Sequence, residues 1–263
     1  MKRLLLLMLI ISGFAPLVAG QELYGSPIVI DLDGKNFDGA FTDVQHGVSF
    51  DFIHAGEPVE IAWTEPDRNI GFLVLNRHGD HVPGKDEHAN AQVWFQVLRS
   101  WKEQAALGTA GGEEPVTFHV ASGREMFGNL TNQPLSRQQG DEATAMAAKG
   151  EPWQPNGFLA LGFFDRKENG GNGNGMIDAG DLVFSRLRVW VDTAHNGRSE
   201  DGKMYTLAEL GIRFISLNYT TSERVDGYGN RMRYAGRMGM EDGRTAEIYD
   251  VFFRMIRDCP ASK

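Results

Sequence analysis

Between residues 165 and 181 the chain sets five oxygen-bearing side chains among glycines, Asp165, Asn172, Asn174, Asp178 and Asp181. Oxygen ligands in a glycine-rich loop are the chemistry of a hard cation. A calcium loop needs side-chain oxygens at positions 1, 3, 5, 9 and 12, a backbone carbonyl at 7 and a glycine at the sharp turn of position 6. Counting Asn172 as position 3 puts Asn174 at 5, Gly175 at 6, Met176 at 7, the aliphatic Ile177 at 8, Asp178 at 9 and Asp181 at 12. Position 1 then falls on Gly170, which has no side chain. Asp165 fills that vertex if residues 166–171 bulge outward, with Glu168 the weaker candidate. The bland alternative is a solvated Asn-Gly turn, but the matches beyond the glycines make this the strongest site in the sequence.

A second copy starts at Asp192, with Asn196 at position 5, Gly197 at 6, Arg198 offering its carbonyl at 7 and Glu200 at 9; Gly197 follows Gly175 by 22 residues. Ala194 lacks an oxygen at position 3, and Lys203 puts an ammonium where the bidentate carboxylate belongs. The sequence therefore favours a fold-supporting relic there over a calcium loop. A third copy at Asn76, His78 and Asp80 has His81 in place of the glycine and Pro83 at position 8. A non-glycine residue in a left-handed turn costs about 1 kcal/mol or more, and proline lacks the N–H of a loop-to-loop bridge. His78, Asp80, His81 and His88 lie within eleven residues, and imidazole with carboxylate suits zinc. Their spacing matches no standard zinc motif. The alternative function is thus a metal-dependent hydrolase with Glu87 or Glu125 as base, although no His-Glu-x-x-His or Gly-x-Ser-x-Gly occurs. The glycine run 170–175 as a phosphate cradle is weaker, since no lysine follows it and acids flank it. Asp31, Asp33 and Asp51 read as structural carboxylates facing loops, with a calcium ligand as the lesser alternative.

The elements that must position these loops are mostly β-rich. Pro27 to Leu32, Val48 to Ile53, Val59 to Trp63 and Gly71 to Leu75 have strand composition. Residues 85–108 change to a helical texture, with Trp94, Val97, Leu98, Trp101 and Ala105 on one stripe. An aromatic stripe at that spacing is a packing face before it is a binding face. Short helices are expected at Asn156 to Phe164 and Leu182 to Leu187, and closing strands at Arg188 to Val191, Ile212 to Leu217, Arg231 to Gly236 and Ala246 to Met255. Residues 225–230 read as a hairpin turn, and 131–153 as loop. The expected fold class is α+β, a mainly antiparallel sheet with short helices flanking the calcium loops and one inserted amphipathic helix. No linker demands two domains, so a single domain of about 24–258 is expected.

Lys2 and Arg3 precede an apolar run from Leu4 to Ile11, and small residues follow at Ala19 and Gly20; residues 1–20 read as a cleaved secretory signal rather than an anchor. The expectation is a secreted or periplasmic protein with no membrane span after cleavage. Cys259 stands alone, so no intramolecular disulfide forms and stability rests on packing and on bound metal. A net charge of −9 speaks against a nucleic-acid partner.

Several stretches read together resemble a known family, the EF-hand-like calcium-binding domain of secreted bacterial proteins, related to modules of haemolysin-type (RTX) exoproteins. They include 26–34 (SPIVIDLDG), 47–51 (GVSFD), 62–64 (AWT), 72–75 (FLVL), 124–128 (REMFG) and 156–158 (NGF). The series continues through 169–175 (NGGNGNG), 184–190 (FSRLRVW), 205–211 (YTLAELG) and 228–230 (YGN). The resemblance covers most of 26–236 and implies calcium binding at Asp165, Asn172, Asn174, Asp178 and Asp181, with the bulged position 1 as a recurrent variant. It also implies that about 83–119 is an insertion in the loop that begins at Asn76, so that Glu125 reaches a metal there only if the insertion folds aside. Some related modules cleave themselves at an Asp-Pro bond, and no Asp precedes Pro here. The expected function is a non-catalytic, exported calcium-binding domain in which the ion organises loops and stabilises the fold. An adhesion or glycan-binding module using Trp101, Trp153 and Tyr228 is the remaining alternative, the partner being a protein or a glycan.

Overall fold

The computed structural model describes residues 26–52, 58–75 and 156–256, together with positions 98, 102, 103, 106, 120, 123, 125 and 126. Residues 1–20, expected to be a signal, and Asn76, His78, Asp80, His81, Glu87, His88, Trp101, Trp153 and Cys259 all lie outside the described residues.

Two short apolar runs form the centre. Strand β1 (Ile28–Asp31) and strand β4 (Ile70–Leu75) are buried at every position, the pattern of strands packed on both faces. They pair with each other and lie inside a nine-stranded antiparallel sheet. Its other strands are β5 (Met176–Asp178), β6 (Leu187–Val191), β7 (Lys203–Thr206), β8 (Ile212–Ser216), β9 (Thr220–Val225), β10 (Arg231–Met240) and β11 (Thr245–Phe252). The order is β5-β8-β10-β11-β1-β4-β6-β7, with β9 beside β10. A smaller sheet orders β12 (Met255–Ile256), β3 (Val59–Ile61) and β2 (Val48–Phe50).

Alternation along β1 and β4 divides the core in two. Ile28, Ile30, Leu73 and Leu75 face helix α1 (Gly157–Asp165), packing with its Phe158, Leu161 and Phe164. Val29, Phe72 and Val74 face the small sheet, joining Phe50, Ile61, Trp63 and Trp190. Trp63 lies at the centre of that second core, 4.6 Å from Phe72 and 5.8 Å from Trp190 between ring centroids. Helix α1 starts where Asn156 caps it by accepting the N–H of Leu159 at 3.1 Å. The hairpin turn at 225–230 lies where its composition placed it, joining β9 to β10. There Asp226 accepts the N–H of Tyr228 and of Asn230.

The expected α+β class with helix-flanked loops is corrected: the protein is mainly antiparallel β, and α1 is the one helix whose whole span is described. The stretch 182–187 forms a 3₁₀ turn, Phe184–Arg186, and not a helix. Its few residues give the chain no room to recover the cost of nucleating α-helix, and Leu187 is drawn into β6. Among the described residues no α-helix flanks the second loop, which leaves β6 and, after a 3₁₀ turn at Ser199–Asp201, runs into β7. Of the inserted helix, Leu98, Lys102, Glu103 and Ala106 are helical, and Leu98 is buried against the α1 core while the other three are exposed.

Candidate metal centre

Asp165 is the last residue of α1, and the chain beyond it turns back around its carboxylate. Oδ1 accepts the N–H groups of Gly173 (3.0 Å) and Asn174 (3.2 Å), and Oδ2 accepts that of Gly175 (3.0 Å). Residues 166–171 form the excursion between Asp165 and the glycine-rich turn, with a 3₁₀ turn at Lys167–Asn169. Glu168 lies in that excursion. Gly175 makes the sharp turn with φ of 81°, a conformation that side chains resist. Asn174 Oδ1 accepts the N–H of Met176 at 2.9 Å.

At the other end of the loop Asp181 fastens two segments, Oδ1 accepting the N–H of Asn172 (3.0 Å) and Oδ2 that of Asp178 (2.8 Å). The carboxamides of Asn172 and Asn174 donate to the two oxygens of Asp178, at 3.0 and 2.8 Å. The Asn174 carboxamide, the Gly180 N–H and the Asn172 carboxamide together hold the Asp178 carboxyl below its ordinary range, with help from the Arg213 charge. Asp181 behaves in the opposite way. Burial pushes its carboxyl up, and the charges of Asp165 and Asp178 push in the same direction against the loop N–H groups. Asp181 thus feels the charge of the two other carboxylates across this loop.

Among the described residues, no three His, Cys, Asp or Glu side chains form a metal-holding cluster by themselves. The first loop, whose three aspartates are among those residues, ties each carboxylate to loop N–H groups and sets the Asn172 and Asn174 carboxamides on Asp178. A loop of carboxylate and carboxamide oxygens has the donor chemistry of a hard cation and not of zinc. It does not fit a phosphate, since the N–H groups of 173–175 that would cradle one are already turned on Asp165.

The second loop has the same backbone form. Asp192 Oδ2 accepts the N–H groups of Asn196 (3.1 Å) and Gly197 (2.7 Å), and Asn196 Oδ1 accepts that of Arg198 (2.9 Å), as Asp165 and Asn174 do at the same positions of the first loop. The loops differ at position 4, where the His195 N–H donates to the Asp192 backbone carbonyl and the Gly173 N–H also donates to the Asp165 carboxylate. Positions 4 and 6 are left-handed in both loops, Gly173 (75°) and Gly175 (81°) in the first, His195 (50°) and Gly197 (70°) in the second. Trp63 Nε1 also donates to Asp192 Oδ2 at 2.9 Å, from 129 positions away, a support that sequence spacing gave no sign of. The other oxygen, Asp192 Oδ1, is buried without a hydrogen-bond partner among the described residues. Lys203, exposed at the start of β7, stands at the position where Asp181 clamps the first loop.

The two loops are not joined to each other as neighbours. Ile177 of the first pairs in β5 with Ile215 of β8, while Ser199, at the same position of the second, accepts the N–H of Val120 on its hydroxyl. Of the remaining candidates, Asp31 and Asp33 hold the buried Arg68 at 3.4 and 2.8 Å and lie apart from both loops. Asp51 accepts the N–H of Gly123 on its carbonyl, and the Glu125 carbonyl accepts that of Leu75.

Comparison with known proteins bears on the same region. The chain is similar to the iron-regulated protein FrpA of Neisseria meningitidis serogroup C, 25% identical over 236 residues that make up 90% of this chain and 16% of FrpA. The chain thus spans a small part of that relative's length. The family model described as the SPM domain matches residues 118–254, which take in both loops and β5 to β11. That is more than half of the chain, and the chain belongs to the SPM-domain family.

Proposed function

We propose that this is an exported, non-catalytic calcium-binding domain whose first loop, residues 165–181, takes the ion. The observation that supports the reading most is the turn of the chain around Asp165, with three N–H groups on one carboxylate at the end of a helix and Asp178 and Asp181 brought back beside it. Asp165, Asn172, Asn174, Asp178 and Asp181 would hold the ion with the Met176 carbonyl. Calcium would supply charge neutralisation to a loop that otherwise balances its carboxylates with N–H donors. Those donors hold Asp178 through the two carboxamides, so binding exchanges one set of contacts for another and the affinity is modest. Export rests on the leader-like residues 1–20; among the described residues no helix is long and apolar enough to cross a membrane.

With three carboxylates and two carboxamides the expected dissociation constant is on the order of 10⁻⁴ to 10⁻³ M. At ten times that value the ion stabilises the domain by about 1.4 kcal/mol. Calorimetric titration of the mature chain with calcium should give one site, and melting should shift upward at millimolar calcium. Asp178→Ala combined with Asp181→Ala should remove both the heat and the shift. A wild-type chain with no titration heat and an unmoved melting temperature would sink the reading.

A further inference from the structure

The Asp192 carboxylate is loaded unevenly. Oδ2 accepts three donors, the N–H groups of Asn196 and Gly197 and the indole Nε1 of Trp63, while Oδ1 accepts none among the described residues. At Asp165 the loop N–H groups are instead shared between both oxygens. The added donor in the second loop is a fully buried indole. Asp192 is itself only 2% exposed, and a buried carboxylate oxygen with no donor loses its hydration without compensation.

Two further buried side-chain atoms lack a partner among the described residues, Trp190 Nε1 and His195 Nδ1, and both belong to the same stretch of chain. Gly202, at position 11 of the loop, lies so close over the Trp190 indole that a Cβ there would meet Nε1 at 2.5 Å. His195 donates from Nε2 to the His46 carbonyl at 2.7 Å, which leaves Nδ1 as a bare acceptor. Buried polar atoms without protein partners are met by ordered water or by ions. The frame around these atoms is held from several sides. Trp63 and His46 fasten its first half, and the Ser199 hydroxyl ties its second half to the Val120 N–H at 2.8 Å.

We infer that the second loop, as it stands in this chain, binds a sodium ion on Asp192 Oδ1. Its turn has the backbone form of the first loop, and sodium is close to calcium in size with half the charge, so a frame that suits one admits the other. The side chains select the lower charge. Where the first loop has Asn172 and Asp181, the second has Ala194 and Lys203, so a carboxamide and a carboxylate are gone and an ammonium takes the last position. A doubly charged ion loses more by that exchange, because repulsion from the ammonium grows with the charge of the ion. Asp192 Oδ1 would be the anionic ligand, with Asn196, the Arg198 carbonyl and Glu200 at the other oxygen positions. Water would complete the shell at positions 3 and 12. Trp190 Nε1, a donor, suits such a water and not the ion. The site uses no residue of the first loop, so it stands or falls separately from calcium binding there.

The test is thermal melting of the mature chain, with divalent ions chelated, in sodium, potassium or choline chloride at one concentration, so that ionic strength is equal. Sodium should raise the melting temperature above the two other salts by about 1 °C or more, and the sodium NMR resonance should broaden when the chain is added. Asp192→Asn, which keeps an oxygen for the loop N–H groups, should lose both effects. Lys203→Ala, at an exposed position, should enlarge them. Asp178→Ala with Asp181→Ala should leave them in place, since that pair disables the first loop alone. If Asp192→Asn fails to fold, Lys203→Ala and the wild-type resonance decide the matter. The inference is overturned if the three salts give equal melting temperatures, which leaves water alone at Oδ1, if Asp192→Asn keeps the sodium effect, or if Lys203→Ala leaves it unchanged. It is overturned as well if the pair of changes in the first loop removes the effect, which would assign the sodium to that loop.

Discussion

Asp250 shows how far a single residue can depart from its ordinary chemistry. It is fully buried in β11, beneath the start of α1, where Oδ1 accepts the Ser26 hydroxyl and Oδ2 the Gly157 N–H, both at 2.5 Å. Desolvation dominates, and the carboxyl is pushed up to about 8 even though both donors and the Arg233 charge favour its ionised form. A carboxyl whose folded pKa is raised contributes stability that is complete below the ordinary carboxylate range and is lost as pH rises through about 8. Asn in its place keeps the shape of the neutral acid, with an oxygen for Gly157 and an N–H₂ for Ser26. Asp250→Asn should therefore gain stability relative to wild type as pH rises from 4 towards 9, the difference growing across that window. Denaturant melts of both proteins at intervals of pH check this, and a difference that is flat with pH would show that the buried carboxyl is not raised and is already ionised across that window.

At the scale of elements, the two loops show that backbone form and ligand set are separable. The second loop keeps the turn, the left-handed positions and the hydrogen bonds of positions 5, 6 and 7 of the first, although Ala194 and Lys203 stand where the first loop has Asn172 and Asp181. Its frame is held from outside by Trp63, and the buried Asp192 Oδ1 has no hydrogen-bond donor among the described residues. Lys203→Glu changes the local charge by two units and restores the missing carboxylate. It should raise calcium stoichiometry from one to two in a titration, with Ala194→Asn tightening the new site. Unchanged stoichiometry in both variants would mean that the preformed backbone is insufficient. The spacing of Asn172, Asn174, Gly175, Asp178 and Asp181 made the first loop legible, because each position has a distinct geometric requirement. Strands β1, β4, β6, β8 and β11 were legible as well, from runs of buried apolar residues. Three strands escaped. Thr220–Val225 is polar because it lies beside β10 with Thr221, Glu223 and Val225 exposed. Met176–Asp178 and Lys203–Thr206 are hidden inside loops, their pairing set by tertiary neighbours and not by composition.

For the molecule as a whole, the family match and the sheet have different limits. Residues 118–254 supply β5 to β11, but β11 and β6 are not neighbours, because β1 and β4 lie between them. Every pairing that links the two halves of the large sheet passes through those strands: β11 to β1, β1 to β4 and β4 to β6. The same two strands supply Ile28, Ile30, Leu73 and Leu75 to one core and Val29, Phe72 and Val74 to the other. Removing them exposes the inner edges of β11 and β6 together with the apolar faces of both layers, and an open apolar edge is a template for aggregation. The first loop lies on the β5–β8 side of that gap and the second on the β6–β7 side. A chain of residues 118–254 alone should therefore lack a cooperative thermal transition and self-associate, whereas residues 26–256 should melt as a unit and respond to calcium. Sedimentation and circular dichroism on the two chains decide it. A monomeric, cooperatively folding 118–254 would show that the strands preceding residue 118 are an addition to the fold and not its centre.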